Sequence, residues 1–176
     1  MKTYLKGLVL ALVCFSAPVL AEPKVVDDWL WTSKKNYNYS LTINSKGDTF
    51  GQYCYFNTGN CVFAFRNKVT CKDTHDYPAL VSSDNGTQHL TLTCVAANKK
   101  ASSLYAVSPF EDLEKIINSS TKIAFVVGLA DGVFKVSRFS LKGSKKAILE
   151  MQDDTESKMV SDGDLDEEEL PDGQYL

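Results

Sequence analysis

The chain has 176 residues, 44% of them hydrophobic, and a formal net charge of −3 at pH 7. Residues 22–152 carry 16 basic and 12 acidic side chains, and this charge near +4 is too weak to indicate a nucleic-acid partner. The acidic balance comes from residues 153–176, which hold ten acids and one lysine. These counts predict one folded domain over 22–152, followed by a disordered acidic tail over 153–176.

The first 21 residues have the three-part pattern of a secretory signal peptide. A basic start precedes an apolar run over residues 8–15, and a small-residue cleavage site ends at Ala21. The apolar run is too short for a transmembrane anchor, which needs about 20 residues. Lipoprotein processing at Cys14 is disfavoured because a bulky valine precedes it. We therefore predict a periplasmic or secreted protein that has no transmembrane anchor after cleavage.

Four further cysteines follow in the predicted domain, namely Cys54, Cys61, Cys71 and Cys94. An exported chain folds where thiols oxidise, so these residues are expected to form disulfides. The turn signals between them favour the local pairs Cys54–Cys61 and Cys71–Cys94, and the two crossed pairings remain open. The alternative is a zinc site that includes His75 and His89, but no C-x2-C step is present. We predict no metal and no cofactor.

Alternation of apolar and polar residues predicts a half-buried strand over residues 37–43. A second strand over 50–56 and a return strand over 61–65 flank a turn at 57–60. A loop with Pro78 and an Asn-Gly pair is predicted next, from Lys72 to Gln88. The later predicted strands are His89–Ala96, Lys122–Leu129 and Val133–Leu141, the last two joined by an Asp131-Gly132 turn.

Two short helices complete the prediction. Ser108, Pro109 and Glu111 form a capping-box signature, and an apolar stripe follows at Phe110, Leu113, Ile116 and Ile117. A second helix is predicted over residues 144–152. The fold class is therefore mainly β, a β-sandwich-like or antiparallel sheet with two short α-helices, and α+β is the alternative.

Aromatic residues crowd the first third of the predicted mature chain. Trp29, Trp31, Tyr37 and Tyr39 are the candidate binding surface, and Tyr53 and Tyr55 lie nearby in sequence. Successive residues of a strand point to opposite faces, so some of these rings are expected at the surface, where aromatic residues supply much of the binding energy. The alternative is that the two tryptophans plug one end of a sandwich.

The sequence lacks the local signatures of an enzyme. No G-x-S-x-G turn, C-x-x-C pair or glycine-rich phosphate loop is present, and His75 and His89 are the two histidines that could act as a base. We predict a protein with no catalytic residues.

The segment FSLKGSKKAILEM, residues 139–151, resembles the close of the bacterial invasion-associated locus B family, in which a leucine–lysine–glycine step leads into a small final helix. The apolar strand at 122–129 and the spaced cysteines are also similar, although the cysteine spacing differs. The resemblance implies an exported β-sandwich-like protein that acts at the cell envelope or host surface. It implies no catalytic residue.

These observations predict an exported, non-enzymatic binding or accessory protein of the bacterial cell envelope or host-contact surface. Its partner is expected to be a protein or an envelope component, and not a nucleic acid. A second hypothesis is an inhibitor of a secreted hydrolase, such as a lysozyme or protease, whose cleft would receive the loop over 72–88. A third is a small hydrolase that uses His75 or His89.

Overall fold

The structure is a computed structural model, and it describes residues 22–96, 102–129 and 132–163. The predicted signal peptide and the tail beyond residue 163 lie outside these ranges. The strands are Lys24–Val26 (β1), Trp29–Ser33 (β2), Tyr37–Ile43 (β3), Thr49–Tyr55 (β4), Cys61–Asn67 (β5), Asp76–Ser83 (β6), Gly86–Ala96 (β7), Ser103–Ser108 (β8), Lys122–Gly128 (β9) and Phe134–Ser140 (β10). The helices are Phe110–Ser119 (α1) and Ser144–Gly163 (α2).

All the strands belong to a single antiparallel sheet in the order β1-β2-β3-β4-β5-β8-β7-β6-β9-β10. The sheet folds over itself, so that Phe65 on β5 stacks on Phe125 of β9 with ring centres 4.6 Å apart. Phe50 on β4 contacts Phe139 on β10 at 5.9 Å. These rings form the centre of the core, and the prediction of a mainly β fold with two helices is confirmed.

The predicted disulfides Cys54–Cys61 and Cys71–Cys94 are both present. Cys54 and Cys61 are directly opposite each other across the β4–β5 hairpin, with Cα atoms 4.1 Å apart. The second bond ties the connection after β5 to the middle of the sheet on β7. Each bond closes a short loop, which restricts the unfolded chain.

The predicted loop over residues 72–88 is wrong, because strand β6 and the start of β7 occupy most of it. β6 pairs with β7 on one side and with β9 on the other, and its Ala79 and Val81 side chains are buried. The Asn-Gly pair lies at the end of a two-residue hairpin turn formed by Asp84 and Asn85, since Ser83 pairs with Gly86. Pro78 precedes the first residue that pairs with β9, where its missing N–H is not needed. The inhibitor hypothesis thereby loses the loop on which it rested.

Helix α1 begins at Phe110, and Pro109 occupies the N-cap position without a side-chain hydrogen bond to the helix. The predicted capping box is therefore wrong, because Ser108 still belongs to strand β8. The predicted apolar stripe is confirmed, since Leu113, Ile116 and Ile117 are buried.

Helix α2 does not end at residue 152, as predicted, but at Gly163. The additional turns are held by contacts that the charge pattern did not reveal. Thr155 is buried and Asp154 accepts a hydrogen bond from Asn38 at 2.8 Å. Lys158 pairs with Asp154 one turn away and also lies 2.6 Å from the Ser33 hydroxyl. Within the described residues, neither helix has the length and apolar character required to cross a membrane.

Candidate functional site: a tyrosine-lined groove

Strand β3 buries its polar side chains, and the tyrosines of β3 and β4 lie on the other face, where Tyr37, Tyr39 and Tyr53 are half-buried and Tyr55 is exposed. Asn38 and Ser40 on β3 and Gln52 on β4 are at most 1% exposed and face the interior. The alternate residues, which include Tyr39 and Tyr53, point to the other face, because successive strand residues face opposite ways. On β3 this burial is inverted relative to an ordinary half-buried strand, whose apolar side faces the core. Strand β4 is mixed, because it buries Phe50 and Cys54 as well as Gln52.

A row of one leucine and three small residues forms the floor of a groove on this open face. Leu41 is opposite Gly51, Gly51 is opposite Ala64, and Ala64 is opposite Ala106, so the row crosses strands β3, β4, β5 and β8. A Cβ atom on Gly51 would overlap the backbone of Ser40 and Leu41. The close approach of β3 and β4 at this point therefore requires glycine.

Four tyrosines form one wall of the groove. Tyr39 and Tyr53 are directly opposite each other and stack with ring centres 5.5 Å apart. Tyr37 lies 6.0 Å from Tyr53 and 5.9 Å from Tyr55. Burial raises the pKa of Tyr53, and the neighbouring Arg66 charge opposes this shift only in part. The hydroxyl is therefore protonated at neutral pH and is able to donate a hydrogen bond.

Two cations lie at the groove, and no acid lines it among the described residues. Lys34 is in the turn before β3, next to the tyrosine wall, and Arg66 lies across the floor on β5, opposite Thr49. The groove has a volume of about 550 Å³. We call this feature the tyrosine groove; its principal lining residues are Lys34, Tyr37, Tyr39, Tyr53, Tyr55 and Arg66. Its size and its mixture of apolar surface with a few polar groups are those of a binding site.

The four candidate surface residues separate into two pairs. Tyr37 and Tyr39 line the tyrosine groove, whereas Trp29 and Trp31 are only 1% and 4% exposed on the inner face. The Trp29 indole N–H donates to the Ser140 carbonyl at 2.9 Å, and that of Trp31 donates to the Glu150 carboxylate at 3.0 Å. The tryptophans are therefore core residues, as the alternative interpretation held, and they are not part of the open surface.

Tyr53, Tyr55 and Arg66 were not among the candidate residues chosen from the sequence. The available signal was the alternation of Tyr53 with Tyr55, which matches that of Tyr37 with Tyr39 across one turn. Only the register of β3 and β4 brings the two pairs onto one face.

Neither histidine lines the tyrosine groove, and the two lie far from each other. His89 is exposed on β7 opposite Leu80 of β6, and His75 is exposed beside Cys94, five residues further along β7. Five strand residues span about 17 Å. His75 Nδ1 lies 3.3 Å from the backbone oxygen of Asp73. Within the described residues, no three His, Cys, Asp or Glu side chains are grouped to hold a metal ion.

The two disulfides indicate that the chain folds in an oxidising compartment, because such bonds are rare where thiols are kept reduced.

No protein-family model matches the sequence, and no curated protein matches it significantly. The fold is similar to the crystal structure of invasion associated protein B from Bartonella henselae, with a TM-score of 0.56. The alignment covers 77% of this chain and 99% of that protein, at 9% sequence identity. The likeness is therefore one of fold, and it agrees with the fold implied by the resemblance of residues 139–151.

Proposed function

We propose that this chain is an exported, non-enzymatic binding protein of the bacterial cell envelope or host-contact surface, and that the tyrosine groove captures a protein partner. The observation that carries the proposal is the inverted burial of β3, whose outward tyrosines form one wall with those of β4. Apolar ring surface that remains in water forgoes about 25 cal/mol for each Å² that could be buried. A contiguous tyrosine wall left partly open at that cost is typical of an interaction site.

The composition of the tyrosine groove fits recognition of a protein segment. Tyrosine provides a large, rigid contact surface together with a hydroxyl, and it is enriched among the residues that dominate binding energy. Lys34 and Arg66 stand on opposite sides of the floor. A partner segment with apolar side chains between acidic groups would complement both features.

The fold likeness supports the location and the class of this activity. The similar protein is described as invasion associated. That name, the disulfides and the predicted signal peptide together support action outside the cytoplasm.

The proposal is tested by capture from the envelope fraction of the source cells, with the exported and oxidised full chain as bait. The double variant Tyr39→Ala/Tyr53→Ala removes the centre of the tyrosine wall. Phe134→Ala is the matched control, because it removes a 65% exposed ring from the edge strand β10. We expect the double variant to lose about tenfold or more of the capture, the result of losing a hot-spot contact. Equal capture by all three baits would contradict the proposal.

The absence of catalysis is tested with His75→Ala/His89→Ala. We expect this double variant to capture the partner as the unchanged chain does. Hydrolysis of peptide, ester or glycan substrates by the purified chain, if lost in the double variant, would contradict the non-enzymatic part of the proposal.

A further inference from the structure

We infer that the acidic segment 164–176 binds in the tyrosine groove of its own chain and competes there with the partner. The regulatory part of this inference rests on the proposed function, whereas occupancy of the groove by the segment does not. Three properties of the chain support it: where helix α2 ends, how far the segment reaches, and which charges face each other.

Helix α2 delivers the segment to the end of the sheet where the tyrosine groove opens. Lys158 reaches the Ser33 hydroxyl at the end of β2, and its ammonium lies 5.4 Å from the Phe56 ring centre. Met159 lies against Gly59 in the turn between β4 and β5. The turn that follows Ser33 contains Lys34, a lining residue of the groove. The chain thus leaves α2 beside the β2–β3 and β4–β5 turns, at the end of the sheet where the covered face meets the open face.

The segment is long enough to pass around this end of the sheet and fill the groove. Its 13 residues span up to about 43–47 Å when extended. The groove extends along β4 from Tyr55 to Thr49, a strand of seven residues that measures about 23 Å. Roughly half of the reach therefore remains for the passage around the Lys34 turn.

Charge and side-chain type match between the segment and the groove. The segment reads DLDEEELPDGQYL, with six acids and no basic residue, and the described lining of the groove has two cations and no acid. Carboxylates accept hydrogen bonds from lysine, arginine and tyrosine hydroxyls. The leucines and the tyrosine of the segment offer apolar contacts for the tyrosine wall.

A second copy of the groove is a poorer occupant. Pairing two open faces would bring Lys34 and Arg66 of one copy against the same cations of the other, and like charges in an interface are unfavourable. The segment brings the opposite charge and is already tethered at millimolar effective concentration, the range expected for a short linker.

The test uses nuclear magnetic resonance of the exported full chain. The ring signals of Tyr37, Tyr39, Tyr53 and Tyr55 and the backbone signals of 164–176 are compared between the unchanged chain and a neutralised variant. That variant carries Asp166→Asn, Glu167→Gln, Glu168→Gln and Glu169→Gln. We expect neutralisation to shift the four ring signals and to increase the mobility of 164–176. Arg66→Glu should release the segment in the same way, whereas Lys145→Glu, an exposed charge change on the first turn of α2, should not.

The inference is overturned if segment 164–176 is equally mobile in all four proteins, or if the ring shifts depend on protein concentration, which would indicate a second copy. Neutralisation is also expected to tighten partner binding about tenfold, since a competing tethered segment lowers apparent affinity by its occupancy. Partner capture that needs Tyr39 but ignores the segment would retain the proposed function and reject this inference. Ring shifts on neutralisation, together with no capture of any partner, would support occupancy of the groove by the segment and reject the proposed function.

Discussion

The two faces of strand β3 carry opposite kinds of side chain, and the polar kind is the one that faces the interior. The covered face presents Asn38 and Ser40 beside Gln52 of β4, while the open face presents half-buried tyrosines. Helix α2 supplies partners for the Asn38 amide nitrogen and for Gln52, whereas Asn38 Oδ1 and the Ser40 hydroxyl have no hydrogen-bond partner in the described fold. Asn38 Nδ2 donates to Thr155 at 2.9 Å, and Gln152 Nε2 donates to the Gln52 side-chain oxygen at 2.9 Å.

The open face has no comparable cover among the described residues, and this difference supports the proposal that it is the binding side. Buried polar groups that find partners specify where α2 docks. Half-buried tyrosine rings that contact one another still leave apolar ring surface for a ligand. Alternating apolar residues thus located the strand correctly, but they did not reveal which side faces the core.

The largest effect is expected from the covered side at Trp31. Trp31→Ala should lower the free energy of unfolding by about 3–5 kcal/mol, because it empties a fully packed site under α2 and removes the bond to Glu150. Urea denaturation measures this loss. If Trp31→Ala lowered the free energy of unfolding by less than Tyr39→Ala does, the covered face would not carry the stability of the fold.

Asp48 joins the turn before β4 to strand β10, and its removal is expected to have the next largest effect. The carboxylate is 1% exposed and accepts from Ser137 at 2.7 Å and Lys135 at 3.3 Å. Asp48→Asn should cost about 1.5–3 kcal/mol at neutral pH, the range for hydrogen bonds to a charged group. Ser137→Ala should cost less, because it removes one of these two contacts.

The same carboxylate predicts how stability depends on pH. Burial alone raises the pKa of Asp48, but the hydrogen bonds from Ser137 and Asn44 and the Lys135 charge outweigh it, so the pKa is lowered from 3.8. Its stabilisation is therefore complete above pH 3.8 and is lost as pH falls through the lower folded value. Acid titration of Asp48→Asn should show a shallower loss of stability below pH 3.8. An acid limb as steep as that of the unchanged chain would contradict the assignment.

Gly51 tests whether the floor of the tyrosine groove depends on close strand approach. Gly51→Ala should destabilise the fold by about 1–3 kcal/mol, as overpacking does, because the new methyl group overlaps the backbone of β3. Gly128→Ala is the matched control, since its nearest neighbour would be the Phe134 ring at 3.7 Å. Thermal unfolding of the two variants should differ, and similar midpoints would show that the strands relax at no cost.

The smallest effect on stability is expected on the open face. Tyr39→Ala should cost about 0.5–1.5 kcal/mol, the value of the ring contacts with Tyr37 and Tyr53. Denaturation of this variant beside Trp31→Ala separates the two faces directly. A cost for Tyr39→Ala that equals the cost for Trp31→Ala would show that the tyrosines are structural rather than available for binding.

Local chemistry determined much of the fold. Alternation placed β3, the turn at 57–60 made Cys54 face Cys61, and the apolar stripe of α1 lies where its periodicity predicted. Each of these features depends on neighbours in sequence, so the pattern is readable without the tertiary structure. The predicted loop over 72–88 failed because Pro78 and Asn-Gly mark both loops and the hairpin ends of strands.

The sequence by itself determined the strand-rich class, the paired cysteines and the concentration of acid toward residue 176. Only the tertiary structure decided that the tryptophans lie inside, that α2 extends to Gly163, and that four tyrosines share one open face with Arg66. The physical reason is that these outcomes depend on contacts between residues far apart in the chain. The Asn38 side chain donates a hydrogen bond to Thr155, 117 residues away in the sequence. The register of β3 with β4 and of β4 with β5 brings Tyr37, Tyr53 and Arg66 to one groove.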